Sequence, residues 1–230
     1  MTTAVGISPI SARPTISSGT QEALKWIAAV AMVIDHINTY LLDGGQAWMY
    51  DIGRLAMPMF GFVLAYNLAN IAQEKISKLL SRLLIAATVS CAPFWALGHP
   101  FWMLNILFLY AIATLCICMV DTPNKDGRVA AFLCAGVTLL VLGALVEFWW
   151  PGIIFTVAAW SYCKRGGIGA ATLLVGATAS LATVNDNSWA LMVLPVIFFA
   201  PALDIRCPRI KHLFYLFYPA HLSAILLLSR

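Results

Sequence analysis

The run Ala23-Leu24-Lys25-Trp26-Ile27-Ala28-Ala29-Val30-Ala31-Met32-Val33-Ile34-Asp35-His36-Ile37-Asn38-Thr39-Tyr40-Leu41-Leu42 decides the fold. At about 1.5 Å of rise per residue it is long enough to cross the ~30 Å hydrocarbon core of a bilayer as one helix. Yet its second half carries Asp35 and His36 side by side. An ionisable side chain near a bilayer centre costs at least ~2.5–3.5 kcal/mol, so such a pair marks a functional site when partners can be named. Arg54, Asn105, Glu147 and His221 are the candidate partners.

Outward from this run the composition supports the same class. Of the 230 residues 61% are hydrophobic and 10% charged, and mean hydropathy is +0.86. A soluble surface cannot be built from that mixture, so the chain reads as an all-α, polytopic membrane bundle. Apolar runs separated by polar or Gly/Pro breaks give about nine spans, near 24–42, 50–72, 79–97, 101–120, 129–146, 150–163, 168–184, 189–203 and 212–229. The sixth and eighth are the shortest, as expected of tilted, re-entrant or broken helices.

Residues 1–22, rich in Ser, Thr, Ile and Pro, read as a disordered cytoplasmic tail, and 23–230 as a single transmembrane domain. With the N-terminus in the cytoplasm, twelve of the fourteen basic residues fall on the inner face: Arg13, Lys25, Lys75, Lys78, Arg82, Lys125, Arg128, Lys164, Arg165, Arg206, Arg209 and Lys211. The outer connections carry no Lys or Arg, as the positive-inside rule requires. Arg54 and Arg230 are the exceptions. The six cysteines lie mostly in apolar runs, and Cys116 and Cys118 point roughly 200° apart on a helix, so neither a disulfide nor a metal site is expected.

Depth brings the polar residues together. Counting rise from the outer ends, Asp35 lies about 10 Å down its span, Arg54 and Asn105 about 6 Å and His221 about 12 Å, with Glu147 at the outer edge. Pro58 removes the amide that would bond the Arg54 carbonyl, and Pro219 does the same to Tyr215. Two such kinks beside ionisable groups point to a water-accessible pocket. Each residue also has a purely structural reading: Asp35 with Arg54 as an ion pair, His36 and His221 as packing histidines, Asn105 as a helix cap, Glu147 as an interface residue. Trp48, Trp95, Trp102, Trp149, Trp150 and Trp189 fall near outer ends and read as an aromatic belt.

The motifs Lys25-Trp26-Ile27-Ala28, Met32-Val33-Ile34-Asp35-His36 and Ile52-Gly53-Arg54-Leu55-Ala56-Met57-Pro58-Met59-Phe60-Gly61-Phe62 closely resemble the TraX family of conjugative pilin acetylases, which includes TrbP-type conjugal transfer proteins. Asn105-Ile106-Leu107-Phe108, Gly152-Ile153-Ile154 and Tyr218-Pro219-Ala220-His221 match later landmarks of that family in order. The resemblance implies an enzyme of the bacterial inner membrane, a transmembrane acyltransferase that moves an acetyl group from acetyl-CoA to the terminal amine of a pilin subunit in the bilayer, without a metal and without direct contact to nucleic acid.

On that reading His36 is the general base, with Asp35 accepting its other ring hydrogen, and His221 is the competing base. Arg54 or Asn105 stabilises the oxyanion, Glu147 sits with them at the substrate, and Lys25, Arg82, Lys164 and Arg165 meet the CoA phosphates. A proton-coupled transporter could use the same Asp, His and Arg as a relay. A non-enzymatic pilin-assembly factor would need them only to hold the bundle together.

Overall fold

The computed structural model describes residues 13–122, 126–210 and 212–229. Residues 1–12 of the expected tail, and Lys125, Lys211 and Arg230 of the charge pattern, lie outside them. Among the described residues every regular element is helical: α1 (Ser18–Leu41), α2 (Ala47–Gly53), α3 (Ala56–Asn70), α4 (Ile76–Ala96), α5 (Ile106–Val120), α6 (Arg128–Gly143), α7 (Trp149–Arg165), α8 (Ile168–Ser180), α9 (Ala182–Asn185), α10 (Val193–Phe199) and α11 (Leu213–Leu228). Helix occupies each of the nine apolar runs. Three stretches, Ala47–Asn70, Gln73–Ala96 and Ile168–Asn185, are long and apolar enough to cross a membrane. Those stretches mark a membrane protein.

The boundaries differ from expectation in three places, each for a local reason. Residues 13–22 do not behave as a tail. Ser17 caps α1 by accepting the Thr20 N–H, Ile16 is buried, and the Arg13 guanidinium donates to the carbonyls of Ala69 and Cys163 near the C-terminal ends of α3 and α7, whose last-turn carbonyls have no helical partner. The run 50–72 breaks at Arg54-Leu55, which places Pro58 third in α3, where its missing N–H has no partner to lose. The expected kink is thus an interruption at the Arg54 carbonyl, with α3 starting just after it.

The third difference lies at 101–105, which is not helical because Asn105 caps α5, its side-chain oxygen accepting the Leu107 N–H at 3.1 Å. This connection is clipped to the one between α6 and α7: Leu104 N–H donates to Leu145 O (2.7 Å) and Glu147 N–H to Leu104 O (3.0 Å). Irregular backbone inside an apolar bundle is tolerated where protein buries it or a cavity meets it.

Packing places α1, α3, α5, α4 and α11 in a closed ring, each touching the next and α11 returning to α1. Behind the ring stand α7 against α3 and α5, α6 against α5, and α8 against α7. The tight core lies between α3 and α7, where a Cβ on Gly152 would crowd Met57 and Phe148 and one on Gly61 would press on Thr156 and Phe155. Met57, Phe62, Phe94, Phe155 and Trp160 are fully buried there and in the layers beside it. The ring itself is hollow.

Candidate active site

The hollow is one cavity of about 990 Å³, lined from all five ring helices. Asp35, His36, Tyr40, Arg54, His99, Glu147 and Tyr218 line it toward one end. Lys25, Asn70, Lys75, Lys78, Arg82, Arg209 and His212 line it toward the other. Lys25 and His36 are eleven residues apart on α1, about 16 Å along the axis. The cavity thus runs lengthwise through the ring, with a basic mouth at one end and an aromatic, mixed-charge chamber at the other.

Neighbours on a helix diverge by about 100°, so Asp35 and His36 cannot face the same partner. Asp35 turns toward α2 and accepts from Arg54 Nη2 at 2.5 Å, with both side chains largely buried. Gly53 permits this approach, because a Cβ there would overlap the Asp35 side chain. Arg54 also donates through Nε to Tyr50 O (3.2 Å) and through Nη1 to Asn185 Oδ1 (3.4 Å), and its guanidinium lies 4.0 Å over the Tyr50 ring. This arginine is held from three sides.

His36 turns the other way, and its Nδ1 lies 2.7 Å from His221 Nε2. The expected Asp35–His36 hydrogen bond is absent; His221 takes that place. The second ring nitrogen of His221, Nδ1, lies 3.2 Å from the carbonyl oxygen of Phe217, which can only accept, so the network assigns the proton to Nδ1 and the lone pair to Nε2. The hydrogen between the two rings then belongs to His36 Nδ1. His36 Nε2 is left as an acceptor, the tautomer a general base requires.

Glu147 reaches the chamber from the connection between α6 and α7. Its Oε2 accepts the Ile106 N–H at 2.7 Å and the Tyr218 hydroxyl at 3.5 Å, so it completes the cap of α5 as well as lining the cavity. Tyr218 also packs its ring 5.5 Å from that of His221, which ties the carboxylate to the histidine pair. Tyr40 and His99 form a second rim, Tyr40 Oη lying 2.6 Å from His99 Nε2, with His99 stacked on Phe94.

The other candidates separate. Lys25 and Arg82 line the basic mouth, Lys25 in an ion pair with Glu22 and 4.6 Å over the Phe214 ring. Lys164 pairs with Asp121 at 3.1 Å, Arg165 lies 5.9 Å over the Trp160 ring, and neither is among the cavity-lining residues. They belong to α7, which stands behind the ring. Asn105 is fully buried and spends its amide on Ala87 O (2.8 Å) and on capping α5, so it too stays off the cavity. His221 stands behind His36 and contributes through it.

The sequence assigns no role at the site to Tyr40, His99, Tyr218, Arg209 or the pair Lys75 and Lys78, although Lys75, Lys78 and Arg209 count toward the basic face and Tyr218 opens a family landmark. Signals for two of these exist. Tyr40 is one helical turn beyond His36, and Lys75, Lys78 and Arg82 are spaced to share a helix face.

Comparison with known proteins agrees with the motifs that line this cavity. The family model for the TraX protein matches residues 20–229, nearly the whole of the described chain. The chain belongs to the TraX family. Protein TraX of Escherichia coli is 34% identical over 120 residues, 51% of this chain and 46% of that protein. Protein TraX of Escherichia coli strain K12 is 35% identical over 118 residues, again 51% of this chain and 46% of the relative. An uncharacterised protein of Rickettsia prowazekii (strain Madrid E) is 43% identical over 56 residues, 24% of this chain and 22% of its own. The matched region spans about half the length of the TraX relatives. No solved structure matches.

Proposed function

We propose that this TraX-family protein is an acyl-CoA-dependent N-acetyltransferase of the bacterial inner membrane that acetylates the terminal amine of a pilin subunit during conjugative pilus maturation. One observation carries the reading: a single cavity joins a histidine in the tautomer of a base to a cluster of lysines and arginines at the far end of the bundle. A donor with a polyanionic head and a reactive group at the tip of a long arm fits that polarity. With the basic mouth facing the cytoplasm, the phosphates of acetyl-CoA rest among Lys25, Lys75, Lys78, Arg82 and Arg209, and the arm carries the thioester about 16 Å up the ring to His36. The exposed Trp48, Trp95, Trp102, Trp149, Trp150 and Trp189 then ring the opposite, periplasmic end. Nine spans with a cytoplasmic N-terminus satisfy this orientation.

The amine arrives protonated and releases one proton to solvent. Its nitrogen then bonds to the thioester carbonyl carbon as the carbon–sulfur bond breaks. The second proton passes from nitrogen to His36 Nε2 and on to the departing thiolate, giving the amide and free thiol. His221 holds the His36 tautomer through this transfer. Arg54, fixed against Asp35, Tyr50 and Asn185, presents a positive edge to the oxyanion that forms on the carbonyl. Intact-mass measurement of pilin from cells with and without this protein tests the assignment. The expected result is one acetyl group missing when the protein is absent; unchanged pilin mass with missing pili would make it an assembly factor instead.

A further inference from the structure

Among the described residues two carboxylates line the cavity, Asp35 and Glu147. Asp35 is neutralised by Arg54. Glu147 is different: its hydrogen bonds come from the Ile106 N–H and the Tyr218 hydroxyl, both uncharged, and both fall on Oε2. Its second oxygen makes no hydrogen bond to a described residue, although the side chain lines a polar chamber. A carboxylate removed from bulk water, with Arg54 in reach but already paired with Asp35, is costly to keep charged, and such a group marks a place that a cation visits.

The surroundings select the kind of cation. Tyr218 donates to Glu147, and Tyr40, Tyr110 and Phe148 line the same cavity. A carboxylate in an aromatic-lined chamber suits an alkylammonium head, which is held through charge and ring faces together, better than a strongly hydrated metal ion. Tyr218 bridges from Glu147 to the His221 ring, so a group held at Glu147 sits within one side chain of the histidine pair. The fold also holds Glu147 firmly, because its own N–H is tied to Leu104 O.

We infer that Glu147 is the acceptor-amine site: it binds the protonated α-amine of the incoming substrate in the chamber opposite the basic mouth, so the two substrates are sorted by charge to opposite ends of one cavity and meet at His36. This rests on the acyltransferase reading and adds to it the residue that recognises the acceptor as a primary ammonium. Glu147 touches the substrate without taking part in bond making.

The test uses purified full-length protein, acetyl-CoA and a synthetic pilin N-terminal peptide in three forms: free α-amine, N-acetylated, and with the terminal amine replaced by hydroxyl. In Glu147→Gln the amide oxygen still accepts from Ile106 N–H, so the α5 cap survives while the charge is lost. The expected result is a rise of about tenfold or more in KM for the free-amine peptide, as loss of a desolvated charge partner produces, with KM for acetyl-CoA within about twofold and partial recovery in Glu147→Asp. Equal peptide KM in wild type and Glu147→Gln, or a parallel rise in both KM values, overturns the inference while leaving the acyltransferase reading intact. Equilibrium binding without acetyl-CoA separates the two further. Wild type is expected to prefer the free-amine peptide over the N-acetylated and hydroxyl forms, and Glu147→Gln to bind all three alike. A wild type without that preference refutes the amine site whether or not the protein turns over.

Discussion

His36 shows what a single residue's chemistry owes to distant parts of the chain. Its partner, His221, lies 185 positions away, and a carbonyl one turn before that partner settles which nitrogen holds the proton. The sequence makes both histidines visible, yet Asp35 stands beside His36 and invites the wrong pairing. Only the 100° divergence of helix neighbours argues against it, and that argument names no alternative. Glu147 carries a prediction at this scale. Burial pushes its carboxyl from the ordinary 4.5 up to about 7, with the Ile106 N–H pulling back and the neighbouring Arg54 and Asp35 acting in opposite senses. A carboxyl raised in the folded state binds a proton there that it loses in the unfolded chain, so ionisation costs stability as pH climbs through this interval. The unfolding midpoint of wild type, measured in detergent against Glu147→Gln, is therefore expected to decline relative to the variant between about pH 4.5 and 7 and to run parallel above. Parallel curves across the whole interval would contradict that environment for Glu147.

At the scale of the element, periodicity and breaks locate helix well and say little about where helix stops. The run 50–72 reads as one span, and Pro58 as a kink within it; the structure puts the interruption four residues earlier, at Arg54-Leu55. The interruption falls at the carbonyl that Pro58 leaves without a helical amide, and there Arg54 reaches Asp35 while Gly53 lies against the same side chain. Two substitutions separate these roles. Gly53→Ala drives a Cβ into Asp35 and is expected to cost about 1–3 kcal/mol of stability, in the range of overpacked sites. Pro58→Ala, at the third position of α3, is expected to cost less than about 1 kcal/mol, because the first-turn N–H groups have no helical partner in any case. Thermal unfolding of the two variants checks the pair, and a Pro58→Ala loss as large as that of Gly53→Ala would restore the kink.

The same limit explains the missed loop at 101–105 and the ordered segment at 13–17. Asn105 reads equally as cap or as chamber residue, and its partner on α4, the Ala87 carbonyl, has no sequence signature. Arg13 counts correctly toward a basic face, but its hydrogen bonds to the α3 and α7 carbonyls depend on three elements meeting at one end of the bundle.

For the whole molecule, the class and the polar cluster were legible because burying charge among apolar helices is expensive enough to leave a mark in composition. The closed ring was not legible, since nothing in the helices themselves fixes which five enclose space and which stand behind. That distinction decides which basic residues reach the cavity. Lys25 and Arg82 face the cavity because α1 and α4 belong to the ring, whereas Lys164 and Arg165 fall outside because α7 does not. A basic face of the bundle and a basic mouth are different objects, and charge counting describes only the first.

In the proposed reaction one passage through the ring delivers an acyl donor from the basic mouth to His36. Its most direct test is intact-mass analysis of purified pilin after incubation with acetyl-CoA and either wild-type protein or His36→Ala, with acetyl-CoA binding measured on both proteins. The expected result is one acetyl group on the pilin α-amine with wild type, a loss of at least about 10²-fold in rate with His36→Ala, and unchanged acetyl-CoA binding in the variant. Acetylation that proceeds equally well without the histidine, or none with wild type despite bound acetyl-CoA, would contradict it.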